Sequence, residues 1–414
     1  MSLNGNETNN KPRRAFIPAK PTDWFIRTAQ AYVRAELALS NSLHLDDQDL
    51  QHIRSIPADC GVILASNHAD EVDPRVCLEL SRRTGRRFIF MCNREAFDEK
   101  HGLAGWVLQR LGLFSVERGA HDQEAKLYAT NVVKGGKDIL VIFPEGEIFY
   151  LNEKVRPFHS GVIEICLQAI VQQRQARPDW TSYIVPMGIK YHYELPIESE
   201  LAKRITKMEA DLSLPPGGAT LQSRLLAIQR TLLKRNEVAN NVALDTEKLR
   251  FTQEIVAVKE AILAEVEQRH EEMPIAQQAQ TIDRAWQLSA QIRQMMREQS
   301  DSMSRERLQN DLDALKEVAQ LSSWQPNYYL EGESIDRLAE GVLKVERELY
   351  KIQRPPQLAR RSVLVKLAAP IEMGSFVNDY IADARDTRHR LTNRLQDEIQ
   401  SLVCGLTAKS AQIN

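Results

Sequence analysis

Gly61-Val62-Ile63-Leu64-Ala65-Ser66-Asn67-His68-Ala69-Asp70-Glu71-Val72-Asp73-Pro74 begins with an unbroken apolar run and ends in a polar loop. Pro57 bounds the run on one side and Ser66-Asn67 on the other, which predicts a short strand buried on both faces that delivers a polar loop. The same grammar recurs downstream. Strand-like runs fall at residues 87–92, 138–143 and 182–189, with helix-compatible stretches such as 122–134 and 162–173 between them. Strands alternating with helices predict an α/β domain built on a mixed, largely parallel sheet flanked by helices. In such sheets chemistry collects in the loops that follow the strands.

The chain around this pattern has 414 residues, 43% of them hydrophobic and 27% charged, which excludes a disordered polymer or a multi-span membrane protein. Its length exceeds one compact core, so a second domain or a large insertion is expected. Lys and Arg number 54 against 56 Asp and Glu, so no global field draws it to nucleic acid, and none is expected as a partner. Cys60, Cys77, Cys92, Cys166 and Cys404 are odd in number and never spaced as Cys-x-x-Cys, which argues against a disulfide framework and a zinc site. No metal is expected. Residues 1–20 read as a disordered leader without a secretory signal, and no apolar run is long enough to span a bilayer. The expected location is cytoplasmic, peripheral on a membrane.

Residues 21–45 read as an N-terminal amphipathic helix, with Trp24, Phe25, Thr28, Tyr32, Ala35 and Leu39 at helical spacing. This helix either packs on the core or lays Trp24 and Phe25 into lipid. The α/β core is expected over 55–196. Past Pro196 the composition turns to Gln, Glu, Arg and Leu with apolar residues at steps of three and four, for example Phe251, Ile255, Val258, Ile262 and Val266. Breaks at 214–218, 273–274, 300–304 and 324–327 divide this block into four or five helices, a helical insertion over 197–357. A strand pattern resumes at 362–367, and a closing helix is expected over 376–402, so that 358–414 completes the core.

The loop after the first strand places His68 five positions before Asp73. A histidine deprotonates a hydroxyl near neutral pH when a carboxylate holds its other ring nitrogen and stabilises the imidazolium. Three later blocks accompany this pair: Gly112-Leu113-Phe114-Ser115-Val116-Glu117-Arg118, Phe143-Pro144-Glu145-Gly146 and Val185-Pro186. The four blocks in this order resemble the glycerolipid acyltransferase family, which includes the lysophosphatidate and glycerol-3-phosphate acyltransferases. The likeness covers about residues 60–190 and resumes after the helical block, where Ala369-Pro370-Ile371 follows the returning strand.

The resemblance implies transfer of a fatty acyl group from acyl-CoA or acyl carrier protein, as substrate and not as bound cofactor, to a hydroxyl of a lysophospholipid or glycerol phosphate. It implies His68 as general base and Asp73 as its orienting partner. Arg118 would grip the acceptor's anionic group, a role that suits a guanidinium. Glu145 and Gly146 would shape the acceptor pocket, Pro186 would help form the acyl-donor side, and Asn67 and Gly112 would join the substrate-binding set. Two departures bear on the acceptor. Gly146 is followed by Glu147-Ile148-Phe149-Tyr150 where a Thr and an Arg are common, and Ser115 replaces a large apolar residue. These leave open a non-phosphorylated alcohol acceptor, or a non-catalytic lipid-binding scaffold whose helical block recruits a partner or self-associates. The arginines 82, 83, 86 and 87 could meet lipid headgroups or donor phosphates, and 101–111 could line core or an acyl tunnel.

Overall fold

The apolar run at 61–66 forms a strand whose residues are all buried, and the sheet grows outward from it. The computed structural model describes residues 15–410, apart from 121, 216–219, 243, 245–248, 274–279, 300, 331–333 and 353. The expected leader therefore lies mostly outside the described residues, as do parts of the expected breaks at 214–218, 273–274 and 300–304.

Eight strands form one sheet: β1 (Asn41–Leu45), β2 (Gly61–Ser66), β3 (Phe88–Asn93), β4 (Leu113–Val116), β5 (Ile139–Ile142), β6 (Ser182–Tyr193), β7 (Arg361–Leu367) and β8 (Ile371–Glu372). Their order is β1-β7-β6-β2-β5-β3-β4, with β8 beside β6. The pairs β1·β7, β2·β5, β2·β6, β3·β4 and β3·β5 are parallel, and only β6·β7 and β6·β8 are antiparallel. The sheet is thus mixed and mostly parallel, an α/β architecture. Each face carries its own apolar cluster, one around Val62, Leu64 and Val141 and the other around Ile63, Leu140 and Ile184. This alternation along β2 is the period-two pattern of a strand buried on both sides.

Three local expectations need correction. The first helix runs only over Asp23–Ser40, because Asn41–Leu45 leaves it as β1 to pair in parallel with β7. Its core-facing residues are Ile26, Gln30, Val33 and Leu37, whereas Trp24, Tyr32 and Leu39 are exposed. Both faces carry apolar residues at helical spacing, and the sheet takes the aliphatic one.

Seven helices lie between β6 and β7 among the described residues, more than the four or five expected. They are Glu198–Asp211, Leu221–Ala239, Phe251–Arg269, Thr281–Glu298, Ser302–Ser322, Pro326–Leu330 and Ile335–Tyr350. The apolar stripes of all but the Pro326–Leu330 helix merge into one cluster that begins at Tyr193 and Ile197, so its core continues from the end of β6, while Tyr328 and Tyr329 pack with Phe149, Leu151 and Ile282. After this block the chain returns as β7, and it closes with helices Val377–Ala382 and Ala384–Ser410 instead of a single helix over 376–402.

Candidate active site

Parallel strands β2, β3, β4 and β5 all point their C-terminal ends at one cavity of ≈ 2530 Å³. His68 after β2, Asn93 at the end of β3, Arg118 after β4 and Phe143 after β5 all line it. The opposite wall comes from the helical block, including Trp286, Gln287, Lys316, Trp324 and Arg347.

His68 enters the cavity from a loop tied down at several points. Asn67 is buried and exchanges two hydrogen bonds with the Ile189 backbone, Nδ2 donating at 2.9 Å and Oδ1 accepting at 2.8 Å, so the loop is stapled to β6. Asp70 Oδ1 accepts the Val72 N–H at 2.9 Å, which turns the chain into the helix Asp73–Thr84 with Pro74 in its first turn. That turn brings Asp73 under the imidazole. His68 Nδ1 lies 2.8 Å from Asp73 Oδ2, which also accepts the Asp70 N–H at 2.9 Å. Asp73 Oδ1 accepts the Tyr191 hydroxyl at 2.6 Å. Asp73 is wholly buried while the His68 side chain is 14% exposed, so only the imidazole reaches the cavity. Its ring stacks on Phe143 with centroids 4.1 Å apart. With Nδ1 engaged by the carboxylate, Nε2 is the nitrogen available to take a proton.

Burial pushes the Asp73 carboxyl above its ordinary range, and the His68 hydrogen bond and charge oppose that rise. The strand run read from the sequence ends at residue 189, so Tyr191, between Lys190 and His192, was not singled out. Its ring is held in turn by Arg361 of β7, whose guanidinium lies 4.6 Å from the ring centroid and pairs with Asp70 at 2.8 Å.

Glu145 supports the same loop from β5. One carboxylate oxygen accepts the His68 N–H at 2.8 Å and the other accepts the Arg156 N–H at 3.1 Å. Burial pushes it up to about 8 against the pull of those two donors. Glu145→Gln is expected to lower stability by about 1–3 kcal/mol, because the amide nitrogen must face one of two backbone N–H groups. Denaturant titration at pH 7 checks this; an unchanged midpoint would remove Glu145 as the loop's support.

Arg118 lines the cavity, but its guanidinium is already engaged. Glu147 Oε2 accepts a hydrogen bond from Nη1, and the Trp286 ring of the helical block lies beneath the guanidinium at 5.7 Å. Gly146 needs its positive φ of 72°, and a Cβ there would come within 3.0 Å of the His159 ring. The remaining expected residues do not line the cavity. Gly112, at φ 93°, makes the turn into β4, where a Cβ would meet the Phe88 carbonyl at 3.0 Å. Pro186 is buried in β6 opposite Ala65 and accepts the Ala368 N–H through its carbonyl. Ser115 uses its hydroxyl to accept the Ile17 N–H at 2.9 Å. The arginines at 82–87 are spent internally: Arg82 and Arg83 on Glu79, Arg86 on the Gly136 carbonyl, and Arg87 on Asp138. Leu103, Ala104, Val107 and Leu108 do form one wall of the cavity.

A base backed by a buried carboxylate, at the C-terminal ends of parallel strands and open to a large cavity with an apolar wall, is equipped to deprotonate a hydroxyl beside an apolar substrate. Residues 48–190 match the family model described as Acyltransferase, the glycerolipid acyltransferase family, and that match supports a general acyltransferase role. No curated protein matches the chain.

Proposed function

We propose that the protein transfers a fatty acyl group from an acyl thioester, acyl-CoA or acyl carrier protein, to a hydroxyl of a glycerolipid acceptor. The observation that carries this reading is the His68–Asp73 pair opening on the cavity. His68 Nε2 takes the acceptor hydroxyl proton as that oxygen attacks the thioester carbonyl. The tetrahedral intermediate then expels the thiolate, breaking the C–S bond, and the imidazolium returns the proton to sulfur. No covalent enzyme intermediate is needed. Asp73 keeps Nδ1 as the protonated nitrogen and stabilises the imidazolium; Tyr191 fixes Asp73.

The apolar wall at Leu103, Ala104, Val107 and Leu108 suits an acyl chain, and Lys316 and Lys351 on the block's wall suit the phosphates of a phosphopantetheine-bearing donor. Of the acceptors expected, lysophospholipid or glycerol phosphate is the less supported, because Arg118 already holds Glu147; a non-phosphorylated alcohol is the second reading, and that ion pair favours it. No described helix is long and apolar enough to cross a membrane. We place the protein peripherally on the cytoplasmic face of a membrane; its membrane contact is supported by exposed Trp24, Tyr32 and Leu39 and by Phe25, which meets half-exposed Trp106 edge to face at 5.6 Å beside the apolar wall.

The test is free-thiol release from a long-chain acyl-CoA by the purified protein, alone and with lysophospholipids, glycerol phosphate and neutral glycerolipids. Acceptor-dependent release with a matching acylated product is expected. Silence with every acceptor, using both acyl-CoA and acylated carrier protein, would leave the lipid-binding scaffold as the better account.

A further inference from the structure

The surroundings of Arg118 define the chemistry of the acceptor. Three carboxylates share its corner of the cavity. Glu147 holds the guanidinium itself. Glu117 is its neighbour in sequence, lines the cavity and has a buried Oε1 with no hydrogen-bond partner among the described residues. Asp283 belongs to the same helix as Trp286, the ring beneath Arg118, and stands 3.9 Å from His159 Nε2. The corner is rigidly assembled: Gly119 lies against the Trp286 backbone so closely that a Cβ would come within 2.2 Å, and His159 packs on the Trp286 ring at 5.9 Å. Arg118 is thus held by Glu147, and Glu117 and Asp283 line the same cavity, the one that His68 lines.

A phosphate binding Arg118 would have to displace Glu147 from the guanidinium and then sit beside the displaced carboxylate, a like-charge contact. An ammonium headgroup would meet the Arg118 guanidinium. A hydroxyl donates to a carboxylate and accepts from a guanidinium or imidazole, so it satisfies both kinds of group at once. The cavity wall beside Arg118 carries Glu117, Glu147, Asp283, Gln287 and Gln291, polar side chains of the kind that suit a hydroxyl-rich ring or glycerol unit.

Resting on the acyl-transfer reading above, we propose that the acceptor is a lipid with an uncharged, hydroxyl-rich headgroup, a glycerol or sugar unit. Glu147, by holding Arg118 over Trp286, is the residue that excludes phosphate-bearing acceptors. Both Glu147 and Arg118 are about three-quarters covered, at 28% and 27% exposure, so their pair is not an incidental surface contact.

The test measures kcat/KM with one acyl-CoA and three acceptors of equal chain length: lysophosphatidate, monoacylglycerol and a glycosyl monoacylglycerol. The wild type is expected to use the uncharged acceptors at least about 10-fold better than lysophosphatidate, and Glu147→Gln is expected to raise the ratio of lysophosphatidate to uncharged acceptors by about 10-fold or more. Wild-type preference for lysophosphatidate, or for an amine-headed lysolipid, overturns the assignment while leaving acyl transfer intact, and it does so even if the Glu147 variant fails to fold. An unchanged ratio in a folded Glu147→Gln protein overturns the role of Glu147. Absence of release with every acceptor, with acylated carrier protein as well as acyl-CoA as donor, overturns the acyl-transfer reading itself.

Discussion

Replacing His68 by alanine is expected to lower kcat for acceptor-dependent thiol release by about 10³-fold, with little change in stability. The asymmetry follows from where the ring sits. It stacks on Phe143 at 4.1 Å and bonds Asp73, but it projects into the cavity and supports no other element. Asp73 retains the Asp70 N–H and the Tyr191 hydroxyl after the ring is gone. The companion change Asp73→Asn separates charge from geometry. An asparagine oxygen can replace Oδ2 between the Asp70 N–H and His68 Nδ1, while its amide nitrogen donates to the Tyr191 oxygen. The tautomer is kept and only the negative charge facing the imidazolium is lost, so a smaller fall, on the order of 10²-fold, is expected. Because burial raises the Asp73 pKa, holding it ionised costs folding free energy, and that cost appears as pH rises from the unfolded value of about 3.9 through the folded one. Asp73→Asn removes the cost, so its melting temperature at pH 7 is expected to equal or exceed the wild type's, with any advantage shrinking towards pH 4. Retention of more than a tenth of wild-type turnover by the His68 variant would end its assignment as base.

The His68 loop was legible in the sequence because strand, turn and dyad are contiguous: Gly61–Ser66 is apolar without interruption, and only a few residues separate it from Asp73. The parts that were not legible depend on partners far along the chain. Tyr191 reaches Asp73 across 118 positions, and its sequence neighbours Lys190 and His192 give no sign that its hydroxyl donates there. β1 is Asn-Ser-Leu-His-Leu, with no β-branched residue, and becomes a strand because β7 offers an edge 320 positions later. The inward face of the first helix was illegible for a different reason. Aromatic residues weigh heavily in any periodic pattern, yet Trp24 and Tyr32 lie on the exposed face and the smaller Ile26, Val33 and Leu37 pack inward. Arg118 was recognisable as a guanidinium after a strand, and Glu147 as an unusual acid, but that the two neutralise each other is a fact of the fold alone.

The join between the helical block and the sheet rests on Lys190, and Lys190→Met is expected to cost about 3–5 kcal/mol. The ammonium is fully buried on β6, donating to Glu153 and Asp336 at 2.9 Å each and to the Tyr191 carbonyl at 3.0 Å. Asp336, from the block, also meets His192 Nδ1 at 2.8 Å and accepts the Tyr193 N–H at 3.2 Å. Glu153 takes Arg337 at 2.6 Å. Burial alone would raise the Asp336 pKa and lower that of Lys190, but their mutual attraction, with His192 and Glu153, reverses both shifts. Asp336 therefore contributes stability above about pH 4 that is lost as pH falls through its lowered pKa, and Lys190 contributes stability below about pH 10.4 that is lost above its raised one. A methionine fills the space but leaves two carboxylates facing each other in a dry site. Acid should relieve them, so the variant's deficit is expected to shrink as pH falls from 7 to 4, and adding Asp336→Asn should recover part of it at pH 7. The same change reaches the active site, because Asn152 clamps the Tyr191 backbone through bonds of 2.5 and 2.7 Å, and the Tyr191 hydroxyl holds Asp73. Turnover well below the melting transition should therefore fall with kcat affected more than KM. Denaturant titrations across pH check the first effect. A deficit below about 1 kcal/mol, or one that does not vary with pH, would mean that the block docks through its apolar cluster and that the buried charges are incidental.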